Sequence, residues 1–306
     1  TPLQNHLGEI WNLFQFINPG LLGDLSHFAD TFVRPTEEGV RKRLKKLIEP
    51  FILRRTKTAV LEELPPKTEI IRKIKLSDEE TAFYEMLRRR AIESLENDSS
   101  PQGAKHLKIL AEITRLRQAC CNPALVAPET AIESTKLSTF LEIASELKDN
   151  GHRALVFSQF VSHLNIVRQA LDKAGFTYRY LDGSTPAIRR AVEVRNFQSG
   201  QSDFFLISLK AGGLGLNLTA ADYVIHLDPW WNPAIEDQAS DRAHRMGQSR
   251  PVTVYRLVAE HTIEEKIIRL HNTKRDLAES LLEGSDRSAK LSANELMELI
   301  KGHISS

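Results

Sequence analysis

Two arginines, Arg242 and Arg245, stand three residues apart in the segment NPAIEDQASDRAHRMGQ, with Gln238 four residues before the first. Asn232 is a helix-capping type and Pro233 suits a first helical turn, so the pattern predicts a helix over Pro233–Met246. On that helix Gln238, Arg242 and Arg245 share one face, while Ile235, Ala239, Ala243 and Met246 form an inward one. Guanidinium groups presented as a pair on a rigid helix can neutralise charge developing on a transferring phosphoryl group. The same spacing also fits a solvated arginine face, or ion pairs with Asp237 and Asp241. Spacing alone does not choose between these readings.

Upstream lies Lys210-Ala211-Gly212-Gly213-Leu214-Gly215. Such a turn can bring backbone amides against a phosphate or a nucleic-acid strand. It lacks the GxxxxGK[ST] spacing of a nucleotide-cradling loop, and glycines at strand ends are commonly just turns. Between the turn and the arginines come Trp230 and Trp231. Two successive side chains of an extended segment cannot both point inward, so one of the pair is expected in the core and the other near the surface. An exposed aromatic there could stack on bases or wedge between them. The histidines show no metal-ligand spacing, and Cys120-Cys121 lacks two further ligands nearby, so no metal site is expected. No Ser/His/Asp or Cys/His nucleophilic set can be argued.

The elements that must position these residues alternate between strand and helix from Lys136 onward. Apolar strand runs fall at Ala154–Ser158, Thr177–Leu181, Asp203–Ser208, Tyr223–Asp228 and Thr253–Val258. Helices Leu137–Asp149, Val161–Ala174, Ala187–Gln198 and Pro233–Met246 lie before or between them. This alternation predicts a parallel α/β sheet covered on both faces, whose ligands bind at the carboxyl ends of the strands. Those ends carry Ser158-Gln159, Asp182-Gly183-Ser184-Thr185, Ser208-Leu209-Lys210 and Asp228-Pro229-Trp230-Trp231. The first 130 residues read as mostly helical, with one polar-apolar strand pattern over Thr68–Leu76. Ser77-Asp78-Glu79-Glu80 and Thr262-Ile263-Glu264-Glu265 are capping-box signatures. Ile263, Ile267, Leu270, Leu277 and Leu281 make a helical stripe, and Ser292–Glu295 caps a short last helix.

Composition bounds the reading. The 306 residues are 41% apolar and 26% charged, which suits a globular protein of about two domains. No apolar run approaches the roughly 18 residues of a membrane span. No secretory leader is visible and the two cysteines are adjacent, so a reducing intracellular setting is expected. A net charge of +1 hides a local surplus: Arg34–Lys75 holds 13 lysines and arginines against 6 acids. That basic stretch fits a polyanion contacted on one side, or simply a solvated helix face.

Taken together, these segments resemble the SWI/SNF-type family of DNA-translocating ATPases, within the helicase-like superfamily two, whose motor has two RecA-like lobes. TPLQNHLGEIWNLFQFINPG is similar to the family's third helicase motif and its continuation at the end of lobe one. PFILRRTKTAVLEELPPK is similar to the block that follows, and RALVFSQF and YLDGSTPAIRR to motif IV and the segment after it. LISLKAGGLGLNL resembles motif V, DPWWNPAIEDQASDRAHRMGQ motif VI with its preceding Trp segment, and the TIEEKI helix the family's C-terminal brace. The resemblance implies that Arg242 and Arg245 are arginine fingers, and that Gln238, Gly212, Gly213 and Gly215 lie at the nucleotide. It also implies that Ser158, Gln159, Ser184, Thr185, Ser208, Lys210 and Trp231 approach DNA. Cys-Cys-Asn-Pro replaces the family's common Cys-Asn-His-Pro, and Lys210 stands where Arg is often found before the motif V glycines.

The expected fold is a RecA-like, P-loop NTPase-type helicase C-terminal lobe. Its expected divisions are a tail of lobe one (1–30), a helical insertion and linker (31–130), RecA-like lobe two (131–260) and brace helices (261–306). No P-loop and no DExx-type acidic motif occurs in the chain, so ATP and Mg²⁺ would be held mainly by a lobe one outside it. The expected function is the second half of an ATP-dependent double-stranded DNA translocase of the chromatin-remodelling type, inactive in ATP hydrolysis by itself. Expected partners are duplex DNA, lobe one of the same protein, and a nucleosome or other DNA-bound complex, with no membrane. The setting would be cytoplasm or nucleoid in a prokaryote and nucleus in a eukaryote. Two other readings stand beside it: a non-catalytic DNA- or protein-binding module that keeps the fold, and a strand-separating or RNA helicase.

Overall fold

Two five-residue runs, Ala154–Ser158 (β2) and Phe204–Ser208 (β4), are buried at every position and pair as parallel neighbours. A strand buried on both sides must lie inside a sheet covered on both faces. The computed structural model describes residues 8–33, 39–51, 64–98, 100–213, 216–271 and 293–302. In it Lys67–Ile74 (β1), Tyr178–Leu181 (β3), Tyr223–His226 (β5) and Val252–Ala259 (β6) join β2 and β4 in one sheet of order β1-β6-β5-β2-β4-β3. Every pairing is parallel. All five strands expected from residue 154 onward are present. The strand pattern near Thr68–Leu76 is the sixth, lying in register with β6 from Lys67↔Val252 to Ile74↔Ala259.

Side chains alternate across the sheet with period two and feed two cores. Leu155, Phe157, Phe205, Ile207, Val224 and Val254 pack on one face. Ala154, Val156, Phe204, Leu206, Ile225 and Leu257 pack on the other, against helices Thr135–Asp149 and Val161–Lys173. A third core is helical. Leu87, Ala91 and Leu95 of helix Asp78–Glu96 meet Ile109, Ile113 and Leu116 of helix Gln102–Cys121. Ile263 and Ile267 join them, together with Leu296 and Ile300 of helix Ala293–Lys301. The Ser77 capping box forms with both of its bonds, Glu80 N–H to Ser77 Oγ at 3.1 Å and Ser77 N–H to Glu80 Oε2 at 2.9 Å. Around Thr262 the bonds shift: Thr262 Oγ1 accepts from Glu264 N–H at 3.1 Å, and Glu265 reaches back to the His261 N–H. Leu277, Leu281 and Ser292 lie outside the described residues.

The described residues fall into two compact units, one within Thr1–Val60 and Leu270–Lys290 and the other within Leu61–Arg269 and Leu291–Ser306. The first has its own small core of Ile10, Phe14, Leu22, Phe28, Leu44 and Ile48. There the Trp11 indole N–H donates to the Gly23 carbonyl at 3.0 Å, and Gly20 and Gly23 take positive φ angles to make the turn. No described helix is long and apolar enough to cross a membrane.

One ion pair ties the second unit together. Lys136, near the start of helix Thr135–Asp149, and Glu264, in the first turn of the helix that begins at residue 263, are both fully buried. Their nearest atoms lie 2.6 Å apart. Lys136 Nζ also donates to the Leu227 carbonyl at 3.1 Å, just past β5, and Glu264 Oε2 accepts the Ala259 N–H at the end of β6. The carboxylate beside it holds Lys136 protonated although burial opposes the charge. Removing one partner strands the other charge. Lys136→Met is therefore expected to cost about 3–5 kcal/mol in urea unfolding, and adding Glu264→Leu should restore much of that loss.

Candidate functional site at the carboxyl edge of the sheet

Because every strand runs the same way, the strand ends meet along one edge, and side chains from distant parts of the sequence converge there. Ser158, the last residue of β2, is buried, and its hydroxyl donates to Asp228 Oδ1 just past β5. The Gln159 N–H donates to Asp228 Oδ2 at 3.3 Å. Arg117 approaches the same carboxylate to 3.8 Å, donates to Gln159 Oε1 at 2.9 Å and also donates to the Pro229 carbonyl. Burial pushes the Asp228 carboxyl up, while Arg117 and the Ser158 hydroxyl pull the other way. Arg117 was not singled out from the sequence. A buried arginine is legible only as an apolar-face position of helix Gln102–Cys121, where Ile109, Ile113 and Leu116 mark that face.

The Trp pair sits around this arginine. Trp230 packs against the sheet core and Trp231 against the helical core, each half-buried. The expectation of one core and one exposed tryptophan is therefore corrected: the two rings enter different cores, and the guanidinium between them keeps both partly covered. A second acidic anchor fixes the segment from the other side. Buried Glu236 accepts the Trp230 N–H at 2.7 Å and the Arg256 Nε–H at 2.7 Å. Arg256 also reaches Glu69 of β1 at 2.7 Å and Asp237 at 3.3 Å. Burial raises the Glu69 carboxyl, but Lys67 and Arg256 outweigh it and bring the group down to about 2.

The arginine-bearing segment departs from its expected form. The helix covers Pro233–Ser240, capped as expected by Asn232, whose Oδ1 accepts the Ala234 N–H at 3.0 Å. Beyond Ser240 the chain tightens into turns rather than continuing to Met246. The Arg242 carbonyl is taken by the Leu218 N–H at 3.0 Å, and the Ala243 carbonyl by Gln248 Nε2 at 3.0 Å. Those carbonyls are thus engaged by groups outside the helix. Gln248 donates also to the Thr219 and Ala221 carbonyls, and Gly247 has φ +95°. As a result Gln238, Arg242 and Arg245 do not share one helical face. Gln238 and Arg245 are exposed, whereas Arg242 is only 5% exposed, with its guanidinium 5.5 Å from the Phe157 ring centroid. Arg242 Nη1 is buried without a hydrogen-bond partner, and burial lowers its pKa to about 10.

The remaining candidates divide by exposure. Lys210 and Ser184 are exposed, Gln159 and Thr185 half-buried, and Ser158 and Ser208 buried. Asp182 shapes the Ser184 turn, accepting from Ser184 Oγ at 2.7 Å, Ser184 N–H at 2.9 Å and Tyr180 Oη at 2.8 Å. Burial raises the Asp182 carboxyl, but these bonds dominate and hold it at about 2. Gly212 and Gly213 belong to a short 3-10 helix, Leu209–Gly213, and Gly215 lies outside the described residues. Cys121, His163 and Asp228 come within 4.8 Å of one another, all buried, and are the group best placed to hold a metal among the described residues. Yet Asp228 already serves Ser158, Gln159 and Arg117, and a divalent ion would sit beside the cations of Arg117 and Lys136.

Residues 1–125 match the SNF2-related domain and residues 135–247 the helicase conserved C-terminal domain. YwqA of Bacillus subtilis (strain 168) is 38% identical over 98% of this chain and 34% of its own length. The human SWI/SNF-related matrix-associated actin-dependent regulator of chromatin subfamily A member 1 is 35% identical over 98% of this chain and 30% of its own. The chain thus spans about a third of the length of these relatives. The Sulfolobus solfataricus SWI2/SNF2 ATPase core, solved in complex with dsDNA, matches all of this chain and 66% of that one, at 32% identity and a TM-score of 0.65. The C-terminal domain of the same ATPase matches 77% of this chain and 98% of that one, at 30% identity and a TM-score of 0.61.

The buried edge also gives a pH signature. His163 is fully buried, neither ring nitrogen has a partner, and burial beside Lys136 lowers its pKa from 6.5 to about 3. Between those values the unfolded chain binds a proton that the folded chain refuses, so acid favours unfolding. Stability is expected to fall by up to about 1.4 kcal/mol per pH unit below pH 6.5. His163→Leu should flatten that slope in urea melts recorded from pH 7 to pH 5.

Proposed function

The chain belongs to the SNF2-related, SWI/SNF-type helicase-like family, and from that premise we propose that it is the second RecA-like lobe of an ATP-driven double-stranded DNA translocase. The observation that carries this reading is Arg242. Its guanidinium is almost wholly out of water, its Nη1 has no hydrogen-bond partner, and the only cause of its lowered pKa is burial. The Phe157 ring face offers that buried cation only partial compensation, and an arriving anion would offset the remaining cost. A transferring γ-phosphoryl group supplies such an anion, and the planar guanidinium fork matches its oxygens.

In this reading ATP binding brings lobe one against the edge described above. Arg242 and exposed Arg245 then reach the γ-phosphate as arginine fingers, with Gln238, Gly212, Gly213 and Gly215 alongside the nucleotide. The acidic groups at this edge, Asp228 and Asp182, already spend their oxygens on Ser158, Gln159, Ser184 and Tyr180, so Mg²⁺ would take its protein ligands from lobe one. Lys210, Ser184, Thr185, Gln159 and Trp231 form the face offered to the duplex. Buried Ser158 and Ser208 would act beneath it, holding strand ends rather than touching phosphates. Closure moves this face relative to lobe one, and repeated closure moves DNA. A nucleosome or another DNA-bound complex is the load that chromatin-regulating relatives suggest.

Arg242→Ala, made in the protein that joins this chain to lobe one, is expected to lose about 10³-fold or more in ATP turnover while keeping ATP binding. Turnover near wild type would remove its catalytic assignment. The 306-residue chain alone has no GxxxxGK[ST] loop. It is expected to show no DNA-stimulated ATP hydrolysis in a phosphate-release assay.

A further inference from the structure

Arg117 belongs to the helix Gln102–Cys121, far in sequence from every residue assigned to the nucleic-acid face. Only 2% of it is exposed. Three rings surround its guanidinium, with centroids at 5.6 Å for Phe160, 5.7 Å for Trp230 and 5.6 Å for Trp231. In its plane it donates to Gln159 and to the Pro229 carbonyl, and Asp228 balances its charge. Both Gln159 and Trp231 are members of the proposed duplex-facing set. The carbonyl oxygen of Gln159 is spent on Arg117, while its Nε2 has no partner. One flat cation thus touches both the Gln159 amide and the Trp231 ring.

We propose that Arg117 is a positioning residue for nucleic-acid engagement: it sets the pose of Trp231 and Gln159, and through them the affinity for duplex DNA. The inference rests on the reading of this edge as the DNA face. Its chemistry depends on guanidinium geometry rather than on charge. A lysine ammonium can still neutralise Asp228, but its donors radiate from one atom, so it lacks the planar fork that reaches Gln159 from Nη1 and Pro229 from Nη2, and it has no flat face to set against the rings. Trp231 packs against the helical core and Trp230 against the sheet core. The arginine thus stands where helical layer, sheet and DNA-facing edge meet, and a shift of that helix would turn the Trp231 platform.

The test is a double-mutant cycle on the 306-residue chain, with fluorescein-labelled duplex DNA read by anisotropy and thermal melts recorded in parallel. Arg117→Lys is expected to melt cooperatively and to bind the duplex roughly tenfold more weakly, about the loss of one base-stacking contact. In a Trp231→Ala background the same substitution should cost clearly less than in the wild type, because much of its effect passes through that ring and only the Gln159 share remains. A purely structural role would instead give additive losses. In a Trp11→Phe background, where only Trp230 and Trp231 emit, Arg117→Lys should make the emission more accessible to iodide. If Arg117→Lys melts below the assay temperature, Phe160→Leu replaces it, loosening the same guanidinium while leaving Asp228 paired, with the same non-additivity expected. Additive losses, or wild-type affinity in the arginine variant, would overturn the inference and leave the DNA face standing. Wild-type affinity in Trp231→Ala would overturn the DNA face and the inference with it.

Discussion

A lysine and a glutamate with no access to water hold the carboxyl ends of two strands against two helices. Lys136 and Glu264 lie 128 residues apart, yet each completes the hydrogen bonding of a strand end as well as meeting the other. A pair buried this deeply contributes little net stability but makes misplacement expensive, because either charge alone would be stranded. Helix Thr135–Asp149, the segment past β5, the end of β6 and the helix from residue 263 are thereby fixed relative to one another. The edge that carries Asp228 inherits that registration.

Charge at this edge is almost completely matched. Arg117 answers Asp228, Lys136 answers Glu264, and Arg256 answers Glu236 and Glu69. Against that background Arg242 is an exception: burial alone acts on its charge, and no carboxylate among the described residues is paired with it. Among the described residues, carboxylates meet the buried cations Arg88, Arg117, Lys136 and Arg256, and none meets the arginine that the family resemblance assigns to a phosphate.

Much of this was legible in the sequence. Apolar runs flanked by glycines gave the five strands from residue 154 onward, and their alternation with helices gave the parallel order of one edge. Short motifs were read less well. A three-residue spacing between Arg242 and Arg245 implies a shared face only if the helix continues, and Gln248 ends it by taking carbonyls from three separate places. No local pattern announces such a bond. Arg117 stayed hidden for the opposite reason: its helix is ordinary, and its meaning comes from Gln159, Pro229 and two tryptophans more than 40 positions away. Residue type and spacing report what lies along one element. They are silent on what a distant loop brings to it.

The diproline ahead of β1 has a mechanical consequence. Pro65 and Pro66 form a stiff lead into a strand whose eight residues pair in parallel with β6. Tension along that lead would load the whole ladder in shear rather than open it one bond at a time. The same lead is fastened to the arginine loop: the His244 ring donates to the Pro65 carbonyl at 2.8 Å, and His244 stands between Arg242 and Arg245. A pull on the incoming chain therefore reaches, within a single hydrogen bond, the two side chains that would read the state of the nucleotide.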